Sequence, residues 1–252
     1  MQRYLTAHPY ASVQVLDQVG STNALLLTAP DRFPHGTVLI AEEQTAGRGR
    51  RGRTWVSPRG LNVYMSIAYR WHSPFERLQG LSLAIGVALA EALESNGARD
   101  VAVKWPNDVL LGGAKSCGIL VETRTRATGV TDVVVGTGIN VHTPADGASV
   151  YAPVEQAWTA LDAHVPKTPD RSVVAGAAAS RVLACIEQFE TGGLAAFAER
   201  WRRFDVLYGR AVRAGDIDGT AAGVDAAGHL QIDTRTGVQA VAAGEVSVRL
   251  VD

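Results

Sequence analysis

Apolar and polar positions alternate or cluster in short runs along the first half of the chain, which is the pattern of β-strands. Strand patterns lie at residues 12–19, 37–41, 61–69, 101–105 and 131–141, and the segment VLLGGAKSCGILVET has the pattern of two strands about a glycine turn. Two of the runs, TVLIA and LNVYMSIAY, flank a segment rich in glycine and arginine. We therefore expect that segment to be a loop that joins two strands.

Helical periodicity is clearest at residues 74–97, where leucine or isoleucine recurs at steps of three and four and Gly97 follows as a stop signal. Two further helical patterns lie at residues 170–190 and 194–204. The preceding residues 143–169 contain several prolines, and we predict that they form a loop or irregular link.

The sequence pattern changes from Val206 onwards to short runs that contain or are separated by glycines: GRAVRAG, GTAAGVDAAGHLQID and VQAVAAGEVSVRLV. Short strands at this spacing predict a small antiparallel β domain of about fifty residues. We expect a larger domain at residues 1–205 and a smaller one at residues 206–252.

The loop between the second and third strands, EEQTAGRGRRGRTWVS, interleaves arginine with glycine: Arg48, Arg50, Arg51 and Arg53 with Gly47, Gly49 and Gly52. Glycine lets a backbone approach a ligand closely, and arginine offers a planar fork of donors suited to carboxylate or phosphate. The segment therefore predicts a mobile anion-binding loop. A solvated basic loop and an RNA-binding arginine-glycine segment are the alternatives.

Overall composition makes the basic loop a local feature, because the chain carries 24 basic and 25 acidic side chains. This charge balance gives no indication of a nucleic-acid-binding protein. The two cysteines fit no zinc pattern, so we expect both to be core residues in a reducing compartment. We find no signal peptide and no apolar run long enough to cross a membrane, and we expect a cytoplasmic protein.

Polar and charged residues gather at the ends of the predicted strands: Lys104, Asn107, Asp108, Lys115 and Asn140. Either lysine alone is an ordinary surface residue, but together with the arginine loop they suit a substrate that carries both a carboxylate and phosphates. The sequence has no Ser-His-acid signature, no HExxH and no Walker A run. Electrostatic clamping is therefore favoured over covalent catalysis.

Ser21, Thr22 and Asn23 precede the apolar run ALLL, which is a helix-capping signal, although the same side chains can also line a pocket. The G-x-G of residues 136–138 lacks a third glycine and a following helix, so a dinucleotide fingerprint is not supported.

Several motifs resemble biotin protein ligases of the monofunctional type. They are the GRGRRGR-W loop at 42–55, KWPND at 104–108, GAKSCGILVE at 113–122, GTGIN at 136–140 and STN at 21–23. The resemblance implies an α+β fold, with a mixed central β-sheet catalytic domain packed with helices and a small C-terminal SH3-like β-barrel. Only about a dozen residues precede the first strand, so we do not expect the helix-turn-helix repressor domain found in some members.

The activity implied by this resemblance has two steps. Biotin's carboxylate attacks the α-phosphate of ATP to give biotinyl-5′-adenylate and pyrophosphate, with Mg²⁺ assisting. A lysine of a biotin carboxyl carrier protein domain, in a biotin-dependent carboxylase, then attacks the mixed anhydride. No DNA or membrane partner is implied, and we expect a monomer or weak homodimer.

The resemblance also implies residue roles, carried over by matching position. Biotin contacts are Ser21, Thr22, Asn23, Gln44, Arg48, Gly49, Arg50, Lys115 and Gly118. Nucleotide contacts are Arg50, Arg51, Arg53, Trp55, Lys104, Asn107 and Asn140. Lys115 is the expected main electrostatic catalyst, with Arg48 and Arg50, and Asp108 is a candidate metal ligand. The alternatives are a lipoate or octanoate ligase or transferase of the same superfamily, and a non-enzymatic RNA-binding protein.

Overall fold

A seven-stranded mixed β-sheet forms the centre of the larger domain in the computed structural model. The structure describes residues 2–127, 129–145, 151, 154, 156–244 and 248–251. The strands are β1 (Ser12–Leu16), β2 (Thr37–Ala41), β3 (Val63–Trp71), β4 (Val101–Lys104), β5 (Asp108–Leu111), β6 (Ala114–Thr125) and β7 (Thr131–Ile139). Their order is β1-β2-β3-β7-β6-β5-β4, with β1 and β2 parallel and the other neighbours antiparallel. The predicted mixed central sheet is confirmed.

Within the described residues, four α-helices accompany the sheet: α1 (Thr22–Thr28), α2 (Leu81–Ser95), α3 (Arg171–Gly192) and α4 (Ala198–Phe204). The single helix predicted at residues 74–97 is wrong in its first part. A 3₁₀ turn, Phe75–Leu78, precedes α2, and Gly80 between them has φ +83°. A right-handed helix cannot continue through that backbone conformation. The helix predicted at residues 194–204 likewise begins as a 3₁₀ turn, Leu194–Phe197.

Two helical stretches, Phe75–Ser95 and Arg171–Gly192, are long and apolar enough to cross a membrane by length and composition alone. The expectation that no run has that length is therefore too strict. Most of each apolar window is buried inside the fold, 61% and 56% respectively, and α2 and α3 pack against each other. Their apolar character is explained by the hydrophobic core that they share with the sheet.

The C-terminal part forms a five-stranded antiparallel sheet, which confirms the predicted small β domain. Its strands are β8 (Ala211–Ala214), β9 (Ile217–Val224), β10 (Leu230–Thr234), β11 (Gly237–Val241) and β12 (Val248–Leu250), in the order β11-β10-β9-β8-β12. Residues 245–247, within the predicted run VQAVAAGEVSVRLV, lie outside the described residues. The domain boundary predicted at residue 205 falls between α4 and β8 and stays a prediction.

The C-terminal sheet packs closely on the larger domain. The buried indole Nε1 of Trp105 donates a hydrogen bond to the carbonyl of Gly228 (3.0 Å). A Cβ placed on Gly228 would lie 2.9 Å from the Cα of Gly80 at the start of α2. Ala243 and Gly244, which follow β11, lie beside the arginine loop.

Candidate active site

Glycines on the two central strands form the base of the site. Gly118 on β6 and Gly138 on β7 are directly opposite in register, and Gly136 precedes Gly138 on the same face. A Cβ on Gly118 would lie 2.6 Å from Cζ3 of Trp55, and a Cβ on Gly138 would lie 2.6 Å from Cζ2. A Cβ on Gly136 would lie 2.8 Å from Cγ of Asn23. We call these three residues the glycine floor, since only glycine leaves room there for the indole and amide.

The start of α1 supplies a buried polar wall. The Ser21 hydroxyl caps the helix by accepting a hydrogen bond from the Ala24 amide (3.4 Å). The amide and hydroxyl of Thr22 both donate to Gln44 Oε1 (2.9 and 3.1 Å). Gln44 Nε2 donates to Ser57 Oγ (3.0 Å), which fixes the orientation of the Gln44 amide. The structure thus places Thr22 against Gln44, beside the Ser21 cap; these are three of the residues predicted to contact biotin.

Two further residues complete this wall, and the sequence reasoning did not identify them. Ser66 Oγ lies 2.6 Å from both Thr22 Oγ1 and Asn23 Oδ1, and its single proton can serve only one of them at a time. Asn23 Nδ2 donates to Glu122 Oε2 (2.9 Å). Glu122 ends the motif GAKSCGILVE, and Ser66 is a polar residue inside an apolar strand, so both carried a weak signal.

The arginine loop is folded back on itself. The Gly49 amide donates to the Arg53 carbonyl (2.7 Å), and the Trp55 amide donates to the Gly47 carbonyl (2.9 Å). The turn Arg50–Gly52 at its tip holds Arg51 at φ +57°. Arg48 forms an ion pair with Glu122 Oε1 (2.9 Å). This pair ties the loop to the polar wall at α1.

Arg50 and Arg51 reach from the loop to neighbouring segments. Arg50 Nη1 donates to Asn107 Oδ1 (2.9 Å), and Arg50 Nη2 donates to the Ala243 carbonyl. Arg51 Nη2 donates to the Gly244 carbonyl (2.8 Å). Burial, followed by repulsion from Arg51, lowers the pKa of Arg50. These contacts with the C-terminal domain were not predicted from the sequence, because both acceptors are backbone carbonyls.

Lys115 projects into the site because β6 contains a bulge. Val109 pairs with Cys117 but Leu110 pairs with Lys115, so Ser116 is an extra residue that changes the alternation of the strand. Cys117 is buried, and burial raises the pKa of its thiol to about 12, which excludes it as a thiolate nucleophile at neutral pH. Lys115, in contrast to Cys117, faces the site, and its ammonium lies 5.4 Å from the centre of the Trp55 ring.

Residues 156–159 run beside Lys115. The Lys115 amide donates to the Ala157 carbonyl (3.0 Å), and the Thr159 amide donates to the Lys115 carbonyl (2.9 Å). Asn140 Nδ2 donates to the Thr159 carbonyl (3.2 Å), which joins the end of β7 to the same segment. Regular structure in the described residues of the predicted link 143–169 is limited to short pieces such as the turn Leu161–Ala163 and the bridge of Trp158 to Lys115, so the irregular link is confirmed for them.

Two predicted site residues are less closely joined to this cluster. Lys104 is opposite Asp108 in the β4–β5 register, and no ion pair of Lys104 is found in the part of the chain that the structure describes. Arg53 is exposed at the end of the loop turn.

The donor set does not form a metal cage. Among residues 2–127, 129–145 and the other described positions, no group of three or more His, Cys, Asp or Glu side chains is placed to hold a metal ion. Asp108 Oδ1 lies 2.6 Å from the Lys115 ammonium, and Gln156 Nε2 donates to Asp108 Oδ2 (3.3 Å). A dedicated protein site for Mg²⁺ therefore does not fit these residues.

Comparisons with known proteins cover the whole of this arrangement. The Biotin/lipoate A/B protein ligase family matches residues 15–140, and the Biotin protein ligase C terminal domain matches residues 209–249. The Bifunctional ligase/repressor BirA of Escherichia coli is 38% identical over 242 residues, which cover 94% of this chain and 74% of that protein. The biotin–[acetyl-CoA-carboxylase] ligase of Mycobacterium tuberculosis is 34% identical over 251 residues, covering 94% and 89%.

A solved structure agrees with these matches. The biotin protein ligase of Aquifex aeolicus, in complex with biotin and ATP, has a TM-score of 0.79 and 29% identity, and the match covers 95% of this chain and 99% of that one. Sequence and structure thus agree across both domains, and the chain belongs to the biotin protein ligase family.

Proposed function

We propose that this biotin protein ligase forms biotinyl-5′-adenylate from biotin and ATP and transfers biotin to a lysine of a biotin carboxyl carrier protein domain. Family membership supports the reaction, as does the similarity to a ligase solved with biotin and ATP. The observation that carries the proposal is a cluster of cations, Arg48, Arg50 and Lys115, beside a glycine floor and a buried polar wall.

The polar wall suits the ureido ring of biotin, which needs both hydrogen-bond donors and acceptors. Thr22, Asn23 and Gln44 offer both kinds of group, and the buried Ser21 hydroxyl adds another. Gly49 would let the backbone approach biotin closely, whereas the space above Gly118 is taken by the Trp55 ring, so biotin would contact Gly118 at the edge of that ring. A buried polar site of this kind discriminates strongly against an acid without a matching polar ring. This favours biotin over lipoate or octanoate.

The cation cluster suits the first chemical step, in which a carboxylate must approach a phosphate of like charge. Lys115 would lie between the two groups, with Arg48 and Arg50 holding the carboxylate and the adenylate phosphate. Removing one such preorganised donor typically costs about a hundredfold or more in rate. Phosphate forms stronger charge-assisted bonds than the neutral carbonyl and amide oxygens that Arg50 contacts here, so it can displace them.

Nucleotide contacts would come from residues around this cluster: Arg50, Arg51, Arg53, Trp55, Lys104, Asn107 and Asn140. Mg²⁺ would supply charge neutralisation on the ATP phosphates rather than in a protein cage. Carrier lysine attack on the mixed anhydride then releases AMP. The folded arginine loop, packed on the floor through Trp55, would exclude water from the hydrolysable anhydride.

The test is transfer to a carrier domain, measured by mass spectrometry after incubation with biotin, ATP and Mg²⁺. We expect one biotin on one carrier lysine, and none when ATP is omitted. Equal labelling from lipoate would support the ligase alternative, since the matching family includes lipoate ligases. Steeply salt-dependent RNA binding with no response to biotin and ATP would support the RNA-binding alternative.

We further propose a cytoplasmic enzyme that is a monomer or weak homodimer. The two buried free cysteines support a protein that works in a reducing compartment. Sedimentation with and without biotin and ATP tests the oligomeric state, and a tight dimer under both conditions would contradict it.

A further inference from the structure

In the part of the chain that the structure describes, Lys115 has one close carboxylate partner, Asp108. The ammonium and Asp108 Oδ1 are 2.6 Å apart, and both side chains are largely buried, with 18% and 15% exposed. Asp108 begins β5 and Lys115 is the second residue of β6, so both are held by the same pair of strands. Apart from this ion pair, Asp108 Oδ1 has no hydrogen-bond partner among the described residues. The ammonium is therefore what compensates the burial of that oxygen.

We infer that Asp108 is a positioning residue for Lys115 and not a metal ligand, an inference that rests on the catalytic role proposed for Lys115. A lysine has a flexible four-carbon stem, and its ammonium is not oriented unless a partner holds it. Asp108 is paired in register with Lys104 on one side and Gly118 on the other, which makes it a rigid anchor. Gln156 fixes the second carboxylate oxygen.

The ion pair restricts where the Lys115 ammonium can lie. An ammonium has three N–H donors on a flexible stem, and Asp108 Oδ1 lies 2.6 Å from it. The ammonium must act on the two anions that meet, the biotin carboxylate and the α-phosphate. Without Asp108 it would be free to rotate away from them. Holding the ammonium by this ion pair therefore keeps it beside the reacting groups.

A metal-binding role fits the contacts of Asp108 less well. A divalent cation at Oδ1 would lie beside the Lys115 ammonium, and the two positive charges would repel each other. At Oδ2 it would displace the donor amide of Gln156. The two roles differ in one measurable respect: only the positioning role acts through Lys115.

A double-mutant cycle separates them. Biotin-dependent pyrophosphate exchange is measured for wild type, Asp108→Asn, Lys115→Ala and the double variant, with kcat, the KM values for biotin and ATP, and the half-saturating Mg²⁺ concentration. We expect Asp108→Asn to lower kcat by about tenfold to a hundredfold while each KM changes less than about threefold, as for other supporting residues. The double variant should match Lys115→Ala within about twofold.

A matched control is Asp218→Asn, which removes a carboxylate 2.6 Å from Arg213 on the exposed C-terminal sheet and should leave exchange unchanged. A shift in the Mg²⁺ requirement, or an Asp108→Asn effect that persists in the Lys115→Ala background, would overturn the inference. Wild-type kcat in Asp108→Asn would also overturn it. Absence of exchange in wild type would instead contradict the proposed function, and an unaffected Lys115→Ala would contradict the role of Lys115. Thermal unfolding checks that every variant is folded.

Discussion

The indole ring of Trp55 fills the space above Gly138 that a β-carbon would need. A Cβ at Gly138 would lie 2.6 Å from Cζ2 of the ring, closer than real Cβ atoms come to their neighbours. The contact joins the arginine loop to the central sheet, because Trp55 belongs to the loop and Gly138 lies in β7. The position of the loop cations therefore depends on the absence of one methyl group.

Gly138→Ala is expected to displace Trp55 and lower adenylate formation by at least about tenfold, because misplaced cations lose transition-state stabilisation. Trp55→Ala should also lower the rate of adenylate formation. Adding Gly138→Ala to Trp55→Ala should change the rate less than about twofold, since the clash is then absent. Pyrophosphate exchange measures all three variants, and independent effects in the double variant would contradict the steric account.

Gln44→Ala is expected to weaken biotin binding more than ATP binding. The Gln44 side chain accepts two hydrogen bonds from Thr22 and donates one to Ser57. Leaving the buried Thr22 amide unpaired costs about 1–3 kcal/mol, and biotin also loses a polar contact. We expect the Kd for biotin, measured by titration calorimetry, to rise by about tenfold or more. An equal rise in the Kd for ATP would argue against the biotin-side position of Gln44.

Trp105→Phe is expected to loosen the C-terminal domain. The variant removes the donor to the Gly228 carbonyl and leaves that buried oxygen unpaired, at a cost of about 1–3 kcal/mol. Hydrogen exchange should rise in residues 225–230 of the C-terminal domain. Trp71→Phe is the matched control, because Trp71 Nε1 donates to the Pro74 carbonyl within the larger domain (3.2 Å). Equal exchange at residues 225–230 in both variants would contradict the docking role of Trp105.

Asp205 predicts a pH dependence of stability. Burial raises the pKa of Asp205 above its ordinary value of 3.8, so the folded state binds a proton more tightly than the unfolded state. The contribution of the protonated Asp205 carboxyl to the free energy of unfolding is therefore fully present below pH 3.8. It is lost as the pH rises through the raised pKa of the folded state. Asp205→Asn cannot titrate and keeps an acceptor for the Leu207 amide. As the pH rises from 3.5, the urea midpoint of the wild type should therefore fall relative to that of Asp205→Asn. Equal changes of the two midpoints with pH would contradict this.

Local features of the fold could be predicted from the sequence, whereas long-range pairing could not. The strand TVLIA was placed at its observed bounds because its apolar run is bordered by polar turns. The placement of β7 between β3 and β6 depends on contacts between distant residues, and periodicity carries no information about it. The break before α2 was missed because apolar spacing continues across Gly80, while its positive φ is a property of the backbone.

The candidate site shows the same division. Motif resemblance identified Thr22, Gln44 and Lys115 as site residues, and the structure places Thr22 against Gln44. It gave no indication that a bulge at Ser116 turns Lys115 into the site, because a bulge changes pairing without changing composition. The Ala243 carbonyl was also missed, since any residue supplies that backbone acceptor. The roles assigned to these side chains stay predictions.

The most direct test of electrostatic adenylation is biotin-dependent exchange of labelled pyrophosphate into ATP, comparing wild type with Lys115→Ala and Arg50→Ala. Arg235→Ala, in an exposed turn of the C-terminal domain, is the control for loss of a positive charge. We predict exchange with biotin and not with lipoate, a fall of about a hundredfold or more in each of the two site variants, and no change in the control. Full exchange by either site variant at saturating biotin would contradict the account.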